Sequence, residues 1–287
     1  MEIISGKYSG FCGGVMRAVR LANNELKNGK EKVFCLGKIV HNEKVVCTLE
    51  NKGMITVDSI DKLSNNSKVI FRAHGELKNV YDEALKKGLK IIDLICPKVK
   101  KIKEKILLEK ENSIIVIIGK KNHPETMANL SYCFENGAIA ENSEDILNIY
   151  ENFKNSQRRR VYVLSQTTFS SSKFDSLTVE IKKKFKDFEI IIDKTICDVT
   201  RNRQRETLEI SKNANKMIII GGKDSSNTKE LFNIAKENCK DTYLIQDLGE
   251  LENVHFDRND KVGIMLGAST PNEDFYEVKE YIESSIK

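Results

Sequence analysis

Apolar residues along this chain fall in short dense runs that alternate with amphipathic stretches almost without exception. The runs KVFCLG (32–37), KVIF (68–71), LKIIDL (89–94), SIIVIIG (113–119), RVYVLS (160–165), FEIIID (188–193), KMIIIGG (216–222) and KVGIMLG (261–267) are rich in Val and Ile and short, so they predict β-strands. Between them, apolar positions recur at helical spacing. Val15, Val19, Ala22 and Leu26 share one face and stop at Gly29, and Phe174, Leu177, Ile181 and Phe185 share another. Phe275, Val278 and Ile282 do the same after Pro271. Near-continuous Val/Ile runs are covered on both faces, which predicts mainly parallel sheets in an α/β protein. The β–α steps are too many for one small sheet and suit two or three.

Three cysteines stand where a strand-like run gives way to a helix-like one: Cys12 in GFCGG, Cys96 in LICPK and Cys197 in TICDVT. Pro97 suits the first position of a helix. Free backbone N–H groups and the helix dipole favour a thiolate at such a place, and thiolates bind soft metals and iron–sulfur clusters. Four cysteines would saturate a site, whereas three leave one metal position open, as catalytic sites do. The layout suggests three similar α/β units meeting at one centre, although no residue-level repeat is visible. Cys35 lies inside a strand run, and Cys47, Cys133 and Cys239 sit in or beside helical stretches. These four read as small hydrophobes rather than ligands.

In open parallel sheets, ligands bind outside the carboxyl ends of the strands. The polar clusters here follow strand-like runs: His41-Asn42, His74-Gly75, His123-Pro124-Glu125, Gln166-Thr167-Thr168, Ser225-Ser226-Asn227 and Ser269-Thr270-Pro271. Each has a plain alternative. A lone histidine caps or lines a loop, and Ser225, Ser226, Asn227 and Ser269 precede expected helices as N-caps do. Hydroxyls and N–H groups at helix starts, with imidazoles nearby, also make an anion site fit for a phosphate or diphosphate. Glu125 is placed to donate protons, or is only a favourable carboxylate at a helix start. Thr167 relays a proton or caps. His255, in ENVHFDRND, reads as structural or exposed.

Charged residues make up 31% of the 287 and the net charge is +5, which fits an anionic small molecule and is far too weak for nucleic acid. QRRR at 157–160 and KKIKEK at 100–105 read as solvated faces. No stretch approaches the roughly 20 apolar residues of a membrane span, and Met1 begins no signal-peptide pattern. Seven cysteines, an odd number without a secretory signal, point to the reducing cytoplasm and away from a disulfide framework. No Walker loop or dinucleotide glycine fingerprint occurs, which argues against a nucleotide ligand.

Taken in order, GFCGGVMRA (10–18), IVHN (39–42), RAHG (72–75), CP (96–97), HPE (123–125), QTT (166–168), TIC (195–197), SSN (225–227) and GAST (267–270) resemble the 4-hydroxy-3-methylbut-2-enyl diphosphate reductase family along the whole chain. The resemblance implies a trefoil of three similar α/β domains with mainly parallel sheets around a central iron–sulfur cluster, with domains at 13–96, 97–194, and 195–287 plus 1–12. It implies one [4Fe–4S] cluster per chain on Cys12, Cys96 and Cys197, with the fourth iron free of protein. It places His41, His74, Ser225, Ser226, Asn227 and Ser269 on the substrate diphosphate. His123, Glu125 and Thr167 fall around the hydroxymethyl end, with Glu125 delivering the proton. The implied reaction is reductive dehydroxylation of (E)-4-hydroxy-3-methylbut-2-enyl diphosphate to isopentenyl and dimethylallyl diphosphate, the last step of the non-mevalonate isoprenoid route. The electron donor would be ferredoxin or flavodoxin, and the chain a cytoplasmic monomer that engages neither nucleic acid nor membrane.

Some positions depart from the family pattern: Leu94-Ile95 before the second cysteine, Thr126 to Ala128 after HPE, and Met265-Leu266 before GAST. They leave ligands and acid intact and bear on tuning and rate. Two rivals are a zinc hydrolase with Glu125 as base, and a non-enzymatic iron–sulfur redox sensor. The first lacks closely spaced Cys or His pairs, and the second needs no array of strand-end His, Ser and Thr.

Overall fold

A computed structural model describes residues 1–27 and 31–285. Gly29, where the first helical face was expected to stop, lies outside the described residues. Strands and helices alternate except between β3 and β4 and between β11 and β12, where a single 3-10 turn intervenes, in the order β1 (Glu2–Ser5), α1 (Gly13–Lys27), β2 (Val33–Leu36), α2 (Glu43–Glu50), β3 (Met54–Val57), β4 (Lys68–Phe71), α3 (Lys78–Lys86), β5 (Lys90–Asp93), α4 (Pro97–Glu109) and β6 (Ile114–Ile118). There follow α5 (Pro124–Leu130), β7 (Gly137–Ala140), α6 (Ser143–Phe153), β8 (Arg160–Ser165), α7 (Ser171–Lys184), β9 (Glu189–Ile192), α8 (Asp198–Asn213), β10 (Lys216–Ile220), α9 (Ser226–Asn238), β11 (Asp241–Ile245), β12 (Lys261–Leu266) and α10 (Glu273–Ser284).

The strands form three four-stranded sheets, ordered β3-β2-β4-β5, β7-β6-β8-β9 and β1-β12-β10-β11. Every described pairing is parallel, as the Val/Ile runs predict. The N-terminal strand completes the last sheet, with Glu2 opposite Lys261 and Ser5 opposite Ile264. The chain divides into two compact units. One comprises Met1–Met16, Val40–Thr48 and Asp198–Lys287 and holds the sheet of β1, β10, β11 and β12. The other comprises Arg17–Ile39 and Leu49–Cys197 and holds the remaining two sheets.

Burial on both faces explains the continuous apolar runs. In β6, Ile114, Val116 and Ile118 pack with Phe174, Leu177 and Ile181 of α7, whereas Ile115 and Ile117 pack with Ile102 and Ile106 of α4. In β10, Ile218 and Ile220 join Val278 and Ile282 of α10, while Met217 and Ile219 face Leu231 and Ala235 of α9. Each of these Ile, Leu, Val, Phe and Met side chains contributes about 1.5–3 kcal/mol by leaving water.

Four strands escape the sequence pattern: β1, β3, β7 and β11. Each lies at the edge of its sheet and pairs with one neighbour only. The first three are four residues long and half-exposed for most of their length, so no dense apolar run marks them. In α1 the most buried positions are Ala18 and Ala22, and Val15, Val19 and Leu26 are only half-buried, so the buried face centres beside the one expected.

Ile117→Ala should lower stability by about 2–5 kcal/mol in chemical denaturation, since the residue is fully buried in a central strand. Ile55→Ala, on the half-exposed edge strand β3, should cost much less.

Candidate functional site

In all three sheets the cysteine follows the edge strand β1, β5 or β9, next to β12, β4 or β8 respectively. Backbone pairing continues past the ends of the strands. Leu94 N–H donates to Phe71 O at 3.0 Å, and two residues later Cys96 N–H donates to Ala73 O at 2.9 Å. Asp193 N–H donates to Val163 O at 2.8 Å, and Cys197 N–H to Thr167 O at 3.0 Å. Cys12 N–H reaches Ala268 O at 3.0 Å. The three acceptors sit in like turns: Arg72 to Gly75, Gln166 to Phe169, and Gly267 to Thr270, closed by N–H to carbonyl bonds of 3.0, 3.2 and 3.1 Å. These turns carry His74, Thr167 and Ser269. The repeat invisible at the level of sequence is therefore present at the level of hydrogen bonds.

Each of these cysteines directly precedes a helix. Cys96 caps α4 in extended conformation, with Pro97 first in the helix. Val15 N–H points at Cys12 Sγ, 3.4 Å away. Cys12, Cys96 and Cys197 are half-buried, while Cys35, Cys133 and Cys239 are buried. Burial pushes the thiols of Cys35 and Cys133 up to about 12, which makes them poor ligands. Cys47 is exposed on α2 instead of buried.

In the second unit, His123 caps α5. Its Nδ1 accepts from Glu125 N–H at 3.1 Å, so a neutral ring carries its proton on Nε2. The His74 ring meets it edge to face at 5.6 Å. Glu125 is 1% exposed. Its Oε1 accepts from Thr167 N–H at 2.6 Å and its Oε2 from the Thr167 hydroxyl at 2.5 Å. Burial pushes this carboxyl up from 4.5 to about 7, with the two Thr167 bonds pulling the other way. The sequence leaves Gln166 without a role. The structure makes it the tie between the two turns: its Oε1 accepts from Lys120 N–H at 3.0 Å and its Nε2 donates to Thr168 Oγ1 at 2.7 Å. Thr126 and Ala128, which depart from the family pattern, are buried in α5. The Thr126 hydroxyl donates to Lys120 O at 2.5 Å and His123 O at 2.8 Å, bracing the turn before Glu125.

In the first unit, Ser225 is the N-cap of α9, accepting from Thr228 N–H, and Ser226 and Asn227 open the helix. Both side-chain polar atoms of Asn227 are buried without a hydrogen-bond partner in the protein. An unmet buried amide costs about 1–3 kcal/mol, so these two atoms call for a partner outside the protein, whether water or ligand. Ser269 is not a helix cap: α10 begins at Glu273 after Asn272, and the Ser269 hydroxyl donates to His41 O at 3.1 Å. Gly222 explains the closeness of these segments, because a Cβ there would lie 2.1 Å from His41 O. The departures Leu94, Met265 and Leu266 are core residues with 0–1% exposure, and Ile95 packs near Gly75. His255 is exposed.

Fold and site together define an α/β protein built three times on one plan, with a thiol at the head of one helix in each copy. The chain belongs to the LytB family, whose model, described as LytB protein, matches residues 3–283. It is 37% identical over 277 residues to a 4-hydroxy-3-methylbut-2-enyl diphosphate reductase of Thermoanaerobacter sp. (strain X514), covering 95% of this chain and 93% of that one. To the protein so named in Clostridioides difficile (strain 630) it is 36% identical over 286 residues, covering 99% and 100%. Among solved structures it resembles the E-1-hydroxy-2-methyl-but-2-enyl-4-diphosphate reductase from Plasmodium falciparum, with TM-score 0.87, 28% identity, and coverage of 100% of this chain and 91% of that one.

Glu125 sets a pH dependence of stability. Between 4.5 and about 7 the folded protein holds a proton that the unfolded chain has released, so stability falls as pH rises through that window. Against Glu125→Gln, the wild type should lose of order 3 kcal/mol from pH 4.5 to pH 7 in denaturation midpoints. Parallel curves would remove the buried, protonated carboxyl.

Proposed function

We propose that this chain is an iron–sulfur oxidoreductase that removes the hydroxyl of (E)-4-hydroxy-3-methylbut-2-enyl diphosphate reductively. The products are isopentenyl and dimethylallyl diphosphate, the last step of the non-mevalonate isoprenoid pathway. The observation that carries this reading is the buried, protonatable Glu125 bonded to Thr167, whose own carbonyl holds the Cys197 N–H.

Cys12, Cys96 and Cys197 would hold one [4Fe–4S] cluster. Their fit rests on half-burial, helix-start placement and the matching hydrogen bond each makes. When bound, such a cluster supplies single electrons and one iron open to a substrate oxygen. His41, His74, Ser225, Ser226, Asn227 and Ser269 receive the diphosphate, and the unmet amide of Asn227 supports that role directly. His123, whose Nδ1 accepts from Glu125 N–H, would offer an Nε2 proton to the hydroxymethyl end.

Glu125 delivers the proton with which the hydroxyl leaves as water. Oε1 accepts the Thr167 N–H, and in the carboxylate Oε2 accepts the Thr167 hydroxyl; protonation at Oε2 reverses that second bond, so that Oε2–H donates to the hydroxyl oxygen. That hydroxyl accepts the proton and passes its own hydrogen onward. A carboxyl that titrates near neutrality is well matched to this work. Two electrons and a second proton complete the balance. The electrons come from ferredoxin or flavodoxin. Seven free cysteines support a reducing, cytoplasmic setting. No helix among the described residues is long and apolar enough to cross a membrane.

The decisive experiment is Mössbauer spectroscopy of anaerobically prepared, iron-57-labelled protein with and without the diphosphate substrate. One iron of a [4Fe–4S] signal should change on addition; four unresponsive irons, or none after reconstitution, would refute the reading. Glu125→Gln should keep cluster and substrate affinity and lose roughly 100-fold or more in turnover. Asn227→Ala should weaken substrate binding about tenfold or more, read by calorimetry with cluster-loaded protein.

A further inference from the structure

The helix that follows each cysteine carries a cation that grips the segment leading to another cysteine. Arg17, on α1 behind Cys12, donates from Nη1 to Leu94 O at 3.4 Å and Ile95 O at 3.3 Å, the two residues before Cys96. Lys105, on α4 behind Cys96, lies 2.5 Å from the Asp193 carboxylate on the approach to Cys197. Arg203, on α8 behind Cys197, donates from Nε to Tyr8 O and from Nη2 to Gly10 O, on the approach to Cys12. Two of these grips lie in the unit that holds Cys96 and Cys197, and the third in the unit that holds Cys12. Each contact lies within one compact unit, and covalent helices join them in sequence.

The grip on Cys12 is the most developed. Residues 6–12 belong to no strand or helix, so their backbone groups need other partners. Glu206, near Arg203 on α8, accepts from Lys7 N–H at 2.6 Å and Tyr8 N–H at 2.9 Å. Ser9 Oγ accepts from Leu266 N–H at 2.7 Å. Gly10 has φ +82°, and a Cβ there would come within 1.7 Å of Asn272 Oδ1. Arg203 is 2% exposed. Burying a guanidinium is costly unless its hydrogens are taken up, and a planar fork can serve two carbonyls at once as an ammonium cannot. A charge buried in this place, aimed at the approach to a cysteine, needs a reason beyond core packing.

We propose that Arg17, Lys105 and Arg203 are positioning residues that hold the three thiols in register for the cluster, so that their loss speeds release of iron. The inference rests on the cluster assignment above. On that assignment three thiolates share one cluster, and the grips stop each loop from swinging its sulfur away.

The test compares anaerobically reconstituted wild type with Arg17→Met, Arg203→Met, Arg203→Lys and a control, Lys216→Met. The control breaks a buried pair with Asp260 at the opposite end of β10, 3.0 Å long and remote from the cysteine turns. The readouts are the rate of iron transfer to a ferrous chelator, the electron paramagnetic resonance of the reduced cluster, and the thermal midpoint of the iron-free protein. Outer-shell residues commonly alter metal affinity by roughly 10–100-fold. Both arginine-to-methionine variants should release iron about tenfold faster and shift the resonance, Arg203→Lys should lie between them and wild type, and the control should match wild type despite a lowered midpoint. Arg17 is half-buried, so its variant decides the matter if Arg203→Met does not fold. Wild-type release rates in folded arginine variants, or equally fast release from the control, would overturn the proposal. A wild type that takes up no cluster would overturn the cluster assignment itself, and the two failures cannot be confused.

Discussion

The site depends on one repeated interaction: the hydrogen bond from a cysteine's own N–H to the turn that ends the neighbouring strand. In a parallel ladder each bond fixes the register of the next residue but one. Extending that ladder past the edge strands β5 and β9 sets Cys96 and Cys197 at defined offsets from Ala73 and Thr167, just where α4 and α8 begin. The same bond reaches Cys12 from Ala268 although β1 ends at Ser5, which is why the intervening loop needs separate restraints. Sheet register, turn and sulfur position are thus one constraint. A slip in any of these edge strands would displace a thiol along with its strand.

Glu125 shows how a carboxyl is held inside the same framework. It sits in the first turn of α5, where a helix dipole would ordinarily favour the charged form. Burial prevails over that and over two short bonds from Thr167, leaving a carboxyl that titrates near neutrality. The Cβ-free approach at Gly222 and the unmet amide of Asn227 belong to the other unit and follow a different logic: close backbone contact, with one buried donor and one buried acceptor left over. On the proposed roles, proton delivery and anion holding fall to separate pieces of the chain.

What the sequence makes legible follows from range. Dense Val/Ile runs are local and strong, so the central strands stand out. The cysteine, histidine and glutamate positions are visible because strand-to-helix transitions are local too. The edge strands β1, β3 and β7 are half-exposed and four residues long; β5 and β9 are too, but Leu89 and Leu94 beside the one and Phe188 beside the other lengthen their apolar runs enough to be read. Ser269 reads as a cap because a proline and a helix follow, but Thr270 to Asn272 intervene and its hydroxyl turns to His41. Arg17 and Arg203 are invisible in principle. An arginine in an amphipathic helix looks solvated until its distant carbonyl partners are known, and those lie 77 and 195 residues away.

The pairing of β1 with β12 also sets an order of events during biosynthesis. Glu2 meets Lys261 across nearly the whole chain, so the sheet that seats Cys12 cannot close until its last strand has left the ribosome. Until then the N-terminal segment carries an unanchored thiol and no partner for its backbone. A polypeptide cut short before β12 therefore retains all three cysteines while lacking the strand that seats the first of them.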